Sequence, residues 1–397
     1  MTHRVDLYAS GANDGTSWVN AFTDLQVAID AAVNDDQIWV KGYTDPLNNY
    51  YYPPSGSNYF NLNGKNLKIF GGFKGTEVNL SQRIFWNQYV SKLGPENNTG
   101  RIIVLNGSNA TLDGFTISGT TDGAPIVLGG TGKTQLLSNL VITDCKNVDA
   151  VTTTEKCIIL IEGGNSTVKM FNVAITNNKF PNVDGALIRC LLSNLEMYNV
   201  TIAFNNRGLS PIGTAISTYS PLTPATNVLN IYNTIIWQTG GYNNTGNTTG
   251  TIKNSLVQSI SSIWTPPLTN GGNNLDTNPL FVYPVAPTPP LVPNFNLQPS
   301  SPAINQGDVS DYKSNYPYTP AGVYYSDFDV EAKPRFDYEP NTWEELIDMG
   351  AYQHISSPSP SPALSIEEIE QLLMQKIEEN TTEETDLADV SEEIVIQ

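Results

Sequence analysis

This chain of 397 residues has few charges, few cysteines and no long apolar run. Charged residues make up only 15% of it, which excludes a disordered polyelectrolyte. No stretch approaches the roughly 20 apolar residues of a membrane-spanning helix, so no membrane partner is expected. Its three cysteines, Cys145, Cys157 and Cys190, are odd in number, and each lies in or beside an apolar strand. Buried free thiols are predicted, and a disulfide framework is excluded. Histidine occurs only at His3 and His354, far apart in the chain. The opening Met1-Thr2-His3-Arg4-Val5-Asp6-Leu7-Tyr8 has no apolar stretch of the kind a secretion leader carries, which predicts either a chain that acts where it is made and assembled or one whose leader has been removed. Positive charge is also scarce. Lys and Arg number 20 against 39 Asp and Glu, and residues 363–397 carry −10 of the net −19. An acidic surface of this kind excludes nucleic acid as the partner.

What is present is a repeated strand phrase. It runs Leu112-Asp113-Gly114-Phe115-Thr116-Ile117, then Ser138-Asn139-Leu140-Val141-Ile142-Thr143, then Phe171-Asn172-Val173-Ala174-Ile175-Thr176. It returns at Tyr198–Ala203, at Tyr232–Trp237 and, more weakly, at Lys253–Val257. The markers Asp113, Asn139, Asn172, Asn199, Asn233 and Asn254 are spaced by 26, 33, 27, 34 and 21 residues. A short β-branched strand recurring at this period, with no helix between copies, predicts a solenoid whose coils bury one another's apolar faces. The fold class is therefore all-β, a single-stranded parallel β-helix. Alternation such as Val173/Ile175 and Val200/Ile202 places one face inward. The Asn at each strand start predicts a structural amide ladder along the rod.

Around this rod the sequence predicts four further segments. Residues 1–45 form an N-terminal cap, with Thr23 capping a short helix over Asp24–Val33. The coils occupy 46–265. Residues 266–355, rich in Pro and Tyr, form a C-terminal cap of the rod. A Pro/Ser linker follows at 356–362, and 363–397 form an acidic amphipathic helical tail. In that tail Ser365 and Glu368 make a capping box, and Ile366, Ile369, Leu373 and Ile377 share one face. A short helix with such a stripe needs a surface to bury against, so these four residues are assigned to docking on another chain or to homo-oligomerisation as a dimer or trimer.

Three pieces resemble bacterial surface β-helix proteins whose C-terminal region is called the choice-of-anchor Q domain. They are Asn278-Pro279-Leu280-Phe281, Phe295–Gly307, and Lys333-Pro334-Arg335 followed by Ile347–Tyr352. The opening Tyr8–Trp18 with Ala21-Phe22 and Leu25-Gln26 matches such proteins too. The resemblance implies a right-handed parallel β-helix, usually on a cell surface, with no family-wide catalytic residues. The missing leader and the acidic tail depart from that pattern. In plan the chain is similar to the head or tail fibres and decoration proteins of tailed phages.

No catalytic, cofactor or metal constellation is apparent. Gly129–Thr134 ends like a phosphate-binding loop, but Val127 stands where the motif needs Gly and a strand follows, which predicts a β-turn. The carboxylates Asp113, Asp122, Asp144, Asp149, Glu162 and Asp184 show no paired spacing for glycoside hydrolysis. Asp308/Asp311 and Asp327/Asp329 offer oxygen ligands for Ca²⁺, with turn capping as the competing role. The remaining signal is aromatic: Tyr50, Tyr51 and Tyr52, and Tyr316, Tyr318, Tyr324 and Tyr325, suit contact with sugars or proteins. These features predict a non-enzymatic virion head-fibre or decoration subunit, docked through its tail on other structural proteins and contacting a host surface glycan. A bacterial surface adhesin or glycan-binding module is the alternative, and a polysaccharide-active enzyme the third reading.

Overall fold

A computed structural model describes residues 1–44, 49–54, 59–83, 88–95, 100–147, 156–180, 185–206, 213–220, 227–264, 268–284, 293–315, 337–338, 345–352 and 354. The chain divides into two units, Met1–His354 and Ile355–Gln397, and the second lies outside the described residues. The helical tail with Ile366, Ile369, Leu373 and Ile377, and the tyrosines Tyr316, Tyr318, Tyr324 and Tyr325, therefore fall outside them as well.

Parallel strands pair coil to coil in one continuous 21-stranded sheet that folds around three faces. Sheet A starts with Thr2–Val5, Gln37–Lys41, Lys68–Phe73 and Thr111–Asp113 and continues to Thr251–Lys253. Sheet B starts with Tyr50–Tyr51, Ser91–Leu93 and Phe115–Ile117 and continues through Ile235–Trp237 to Leu256–Val257. Sheet C runs from Phe60–Asn61 through Ile103–Val104 and Ile126–Gly129 to Gly241–Gly246. Val173 pairs with Val200, and the Val200 amide donates to Thr234 Oγ1, so these three residues occupy successive coils as the phrase predicts.

Period-two alternation sends one column of each sheet inward. In sheet A the column is Ile38, Ile69, Leu112, Leu137, Met170, Met197, Ile231 and Ile252, every one fully buried. In sheet B it includes Leu93, Ile117, Ile142, Ile175 and Ile202. Each such side chain is worth about 1.5–3 kcal/mol on leaving water. One end of the interior is closed by α1, Leu25–Ala31, which buries Leu25, Ala28 and Ile29. Its cap is Asp24, not Thr23: the Asp24 carboxylate accepts from the amides of Gln26 and Val27 at 2.6 and 3.2 Å. The other end is closed by the helical turn Ile260–Trp264, whose Trp264 stacks on Tyr242 at 5.4 Å.

The turn between sheets A and B explains the recurring Asn. Asn139, Asn172, Asn199, Asn233 and Asn254 all adopt φ between 48° and 53°, the left-handed region that Asn tolerates. Asn172 Nδ2 donates to Asn139 Oδ1 and Asn233 Nδ2 to Asn199 Oδ1, both at 3.2 Å. Register corrects the first marker. Asp113 pairs with Ser138, so the counterpart of Asn139 is Gly114 at φ 79°. The Gly129–Thr134 segment is a turn, closed by the Lys133 amide on the Gly130 carbonyl. All three cysteines are buried and outside any disulfide, and burial pushes the Cys145 thiol up to about 12.

Residues 266–355 do not simply cap the end; their described part lies along the rod's flank. The hairpin Phe281–Tyr283/Asn294–Leu297, α2 (Val309–Asn315) and Ile347–Tyr352 cover the outer faces of sheets A and B over several coils. Phe281, Phe295, Met349 and Ala351 pack on Ala174, Ala203, Ile235 and Leu256. Tyr312 and Ile347 cluster with Leu136, Phe171 and Tyr198. The flank also occupies the free side of the Asn ladder: Asn172 Nδ2 donates to Tyr312 OH, and Asn199 Nδ2 to the Asp348 carbonyl.

Lys253 clamps α2 by donating to Asp308 and Asp311 at 3.0 and 2.9 Å. Both carboxylates are thus engaged by an ammonium, which suits a structural clamp and not a Ca²⁺ site; Asp327 and Asp329 lie outside the described residues. Burial pushes Asp308 up, but hydrogen bonds from Ser310 and Lys253 outweigh it and hold the carboxyl at about 2. A depressed acid contributes stability above its unfolded value and loses it as pH falls through the folded one. The clamp should therefore weaken between pH 3.8 and about 2. In melting curves, wild type should exceed Asp308→Asn near neutral pH and converge with it at the acid end. A difference that stays constant with pH would contradict this.

Candidate glycan-binding face

The outward column of sheet B reads Tyr50, Lys92, Thr116, Val141, Ala174, Thr201 and Ile235 in register. Its lower half, from Ala174 on, lies under the flank segment. Its upper half, where Tyr50, Lys92 and Thr116 are half-buried among the described residues, carries an aromatic platform. Tyr50 points outward because its neighbour Tyr51 takes the inward position, where it is buried and donates its hydroxyl to the Lys41 carbonyl at 2.8 Å. Tyr51 is thus a core residue and not a surface contact. Burial pushes its phenol well above the usual tyrosine range.

Tyr52 stacks on Tyr50 with ring centroids 5.6 Å apart and planes 18° from parallel, and it is 49% exposed. Lys92 Nζ sits 4.7 Å from the Tyr50 ring centre and donates to its hydroxyl at 3.3 Å. The Tyr50 hydroxyl also lies 3.4 Å from Ser118 Oγ. Gly94 makes room for the ring, since a Cβ there would come within 2.6 Å of Tyr50 Cδ1. In the preceding coil Tyr8, 67% exposed, donates to Asn49 Oδ1 and meets Tyr43 edge-on. Tyr43 in turn donates to Asp6 at 2.7 Å, and burial together with that carboxylate pushes its phenol up.

The cations near this face differ. Lys41 is neutralised by Asp6 at 2.7 Å. Lys92 forms no ion pair among the described residues. Stacked rings beside an unpaired ammonium can hold a sugar ring by its apolar face and an anionic substituent by charge. Sequence reading found Tyr50 and Tyr52 but missed Lys92, Gly94 and Tyr8. The available signal for Lys92 was its place in the short phrase Ser91–Leu93, one coil after Tyr50-Tyr51.

The carboxylates considered for catalysis are dispersed. Asp113 is buried against Arg83, Asp144 accepts from Asn177, Asp122 accepts from the Gly123 amide, and Glu162 accepts from Asn106 at 3.5 Å. Asp149 and Asp184 lie outside the described residues. Among the described residues no group of three metal-ligating side chains comes together.

No family model matches this chain, and no curated protein does. Two solved structures are similar to it. A rhamnogalacturonan lyase shares 13% identity at a TM-score of 0.35, covering 65% of this chain and 68% of its own. The pectate lyase Pel9A shares 14% at a TM-score of 0.32, covering 84% of this chain and 97% of its own. Both are named as lyases and neither as a virion component, and against these findings the expectation of a non-enzymatic head-fibre or decoration subunit is withdrawn. At this distance the likeness assigns no residue a role, so what the rod binds has to be argued from its own side chains.

Proposed function

We propose that the rod binds an acidic polysaccharide on the upper outer face of sheet B, with Tyr52 and Tyr50 stacking sugar rings and Lys92 taking a carboxylate. The observation that carries this reading is the Tyr50–Tyr52 stack, with Tyr52 half exposed and the Lys92 ammonium, which meets no carboxylate among the described residues, 4.7 Å from the Tyr50 ring. The overall charge of −19 does not oppose it. Charges farther than about 8 Å are screened at physiological ionic strength, so the local ammonium sets the sign seen by a bound sugar.

Calorimetry against polygalacturonate, alginate, xylan and galactomannan tests the reading. The two acidic chains should bind and the neutral ones should bind more weakly. Tyr52→Ala should weaken binding about tenfold, the equivalent of ~1.4 kcal/mol and within the range of an aromatic contact. Lys92→Met should erase the preference for acidic chains while leaving neutral binding intact. Chain length is followed in the same incubations, so cleavage is read alongside binding. Failure of all four polymers to bind, or binding indifferent to Tyr52→Ala, sinks the proposal.

A further inference from the structure

Resting on that reading, we infer that the platform holds one end of a polysaccharide and not its middle, because the flank segment closes the groove on one side. The contact line runs along the rod axis. Tyr50, Lys92 and Thr116 stand in register on three successive coils of the same face, about 10 Å from first to last at the inter-strand spacing, and Tyr8 lies beside Asn49 and Tyr43. Across the axis, the strands Ser91–Leu93 and Phe115–Ile117 are three residues long, and the chain then turns a corner on either side. A ligand laid across the sheet leaves the surface quickly in both directions. One laid along the axis keeps contact from coil to coil.

The two axial ends are unequal. Beyond Tyr50 toward the N-terminal cap stands Tyr8, 67% exposed and bonded to Asn49, the residue before Tyr50. In the other direction the column meets Val141, partly buried against the flank, and then Ala174, fully buried beneath it. The wall is fixed in place. The Ala351 amide donates to Thr201 Oγ1 at 2.9 Å, and the Gly350 amide to the Asn233 carbonyl at 2.7 Å. Gly350 fits only because it lacks a side chain: a Cβ there would come within 2.7 Å of Thr201 Oγ1. A sugar chain lying on Lys92 and Thr116 therefore runs into protein at one terminus, while at the other the described residues lead to the exposed Tyr8.

The test uses the native protein with hexagalacturonate and cellohexaose, each carrying a bulky fluorophore at either the reducing or the non-reducing end. Affinities are compared with those of the untagged oligosaccharides, and Tyr52→Ala serves as the control for the site. One tag position should weaken binding tenfold or more, and the other should leave it within about twofold. Binding that is lost in Tyr52→Ala yet tolerates both tags, or suffers equally from both, overturns the end-recognition inference and leaves the platform standing. Binding indifferent to Tyr52→Ala, or absent with both oligosaccharides, removes the platform and this inference together.

Discussion

Ile175→Asp and Ile202→Asp should each give no soluble folded protein. Both side chains are fully buried, they face each other across neighbouring coils, and their column runs between Ile142 and Ile236. A carboxylate there has no donor or cation within the apolar column, and an unpaired buried charge costs several kcal/mol. A domain's whole margin is about 5–15 kcal/mol, so one such change consumes much of it. In a solenoid the loss is not local, because each coil is stabilised mainly by its two neighbours. Asn172→Ala should be milder. It removes the amide bond to Asn139 and the bond to Tyr312, about 1–2 kcal/mol together. It also places Ala at φ 53°, which adds roughly 1–2 kcal/mol that Asn172→Gly would largely avoid. Soluble expression and melting temperature should rank the set as wild type, Asn172→Gly, Asn172→Ala, and then the two aspartate variants. Aspartate variants that melt like wild type would show the inward assignment to be mistaken.

The rod was legible because its physics is local and repeated. Each coil needs a left-handed residue at the A–B corner and an alternating strand after it, and both requirements recur in the Asn phrase. A second ladder was equally periodic and went unread. Cys145, Asn178, Asn205 and Thr239 each lie six residues after Asn139, Asn172, Asn199 and Asn233. There Asn178 Oδ1 accepts from the Cys145 amide, and Asn178 Nδ2 donates to Asn205 Oδ1, both at 3.0 Å. The flank could not be read in this way. Its contacts join residues 55 to 151 apart in sequence, from Lys253 with Asp308 to Asn199 with Gly350, and nothing in an aperiodic Pro- and Tyr-rich segment encodes where it will lie. The candidate face was half legible. Tyr50 and Tyr52 announce themselves as aromatics outside the phrase, but which of three consecutive tyrosines turns inward is set by register with Ser91–Leu93.

Arg83→Met should destabilise the protein by about 3–5 kcal/mol, the range for removing one partner of a buried ion pair. The pair it breaks anchors the upper end of the Asn ladder. Arg83 and Asp113 side chains are 3% and 2% exposed, and Arg83 also donates to the Gly71 carbonyl at 2.8 Å. Asp113 accepts in addition from Ser138 and from Asn139 Nδ2, and Asn139 in turn accepts from Asn172. The guanidinium further packs over Phe70 and Phe73, with its carbon 5.5 and 5.7 Å from the ring centres. Gly114 is tied to the same cation: a Cβ there would come within 2.5 Å of Arg83 Nη1. Loss of Arg83 leaves a buried carboxylate with only neutral donors. Asp113→Asn leaves a buried guanidinium facing two aromatic rings and backbone carbonyls, and should cost a similar amount. The double variant Arg83→Met with Asp113→Asn removes both charges, while its amide oxygen can still accept from Ser138 and Asn139. It should therefore be more stable than either single variant, by 1 kcal/mol or more on the same grounds. Urea unfolding of the four proteins measures the coupling directly. Additive losses would mean that the two charges act independently, and that the corner is held by Gly114 and the ladder amides alone.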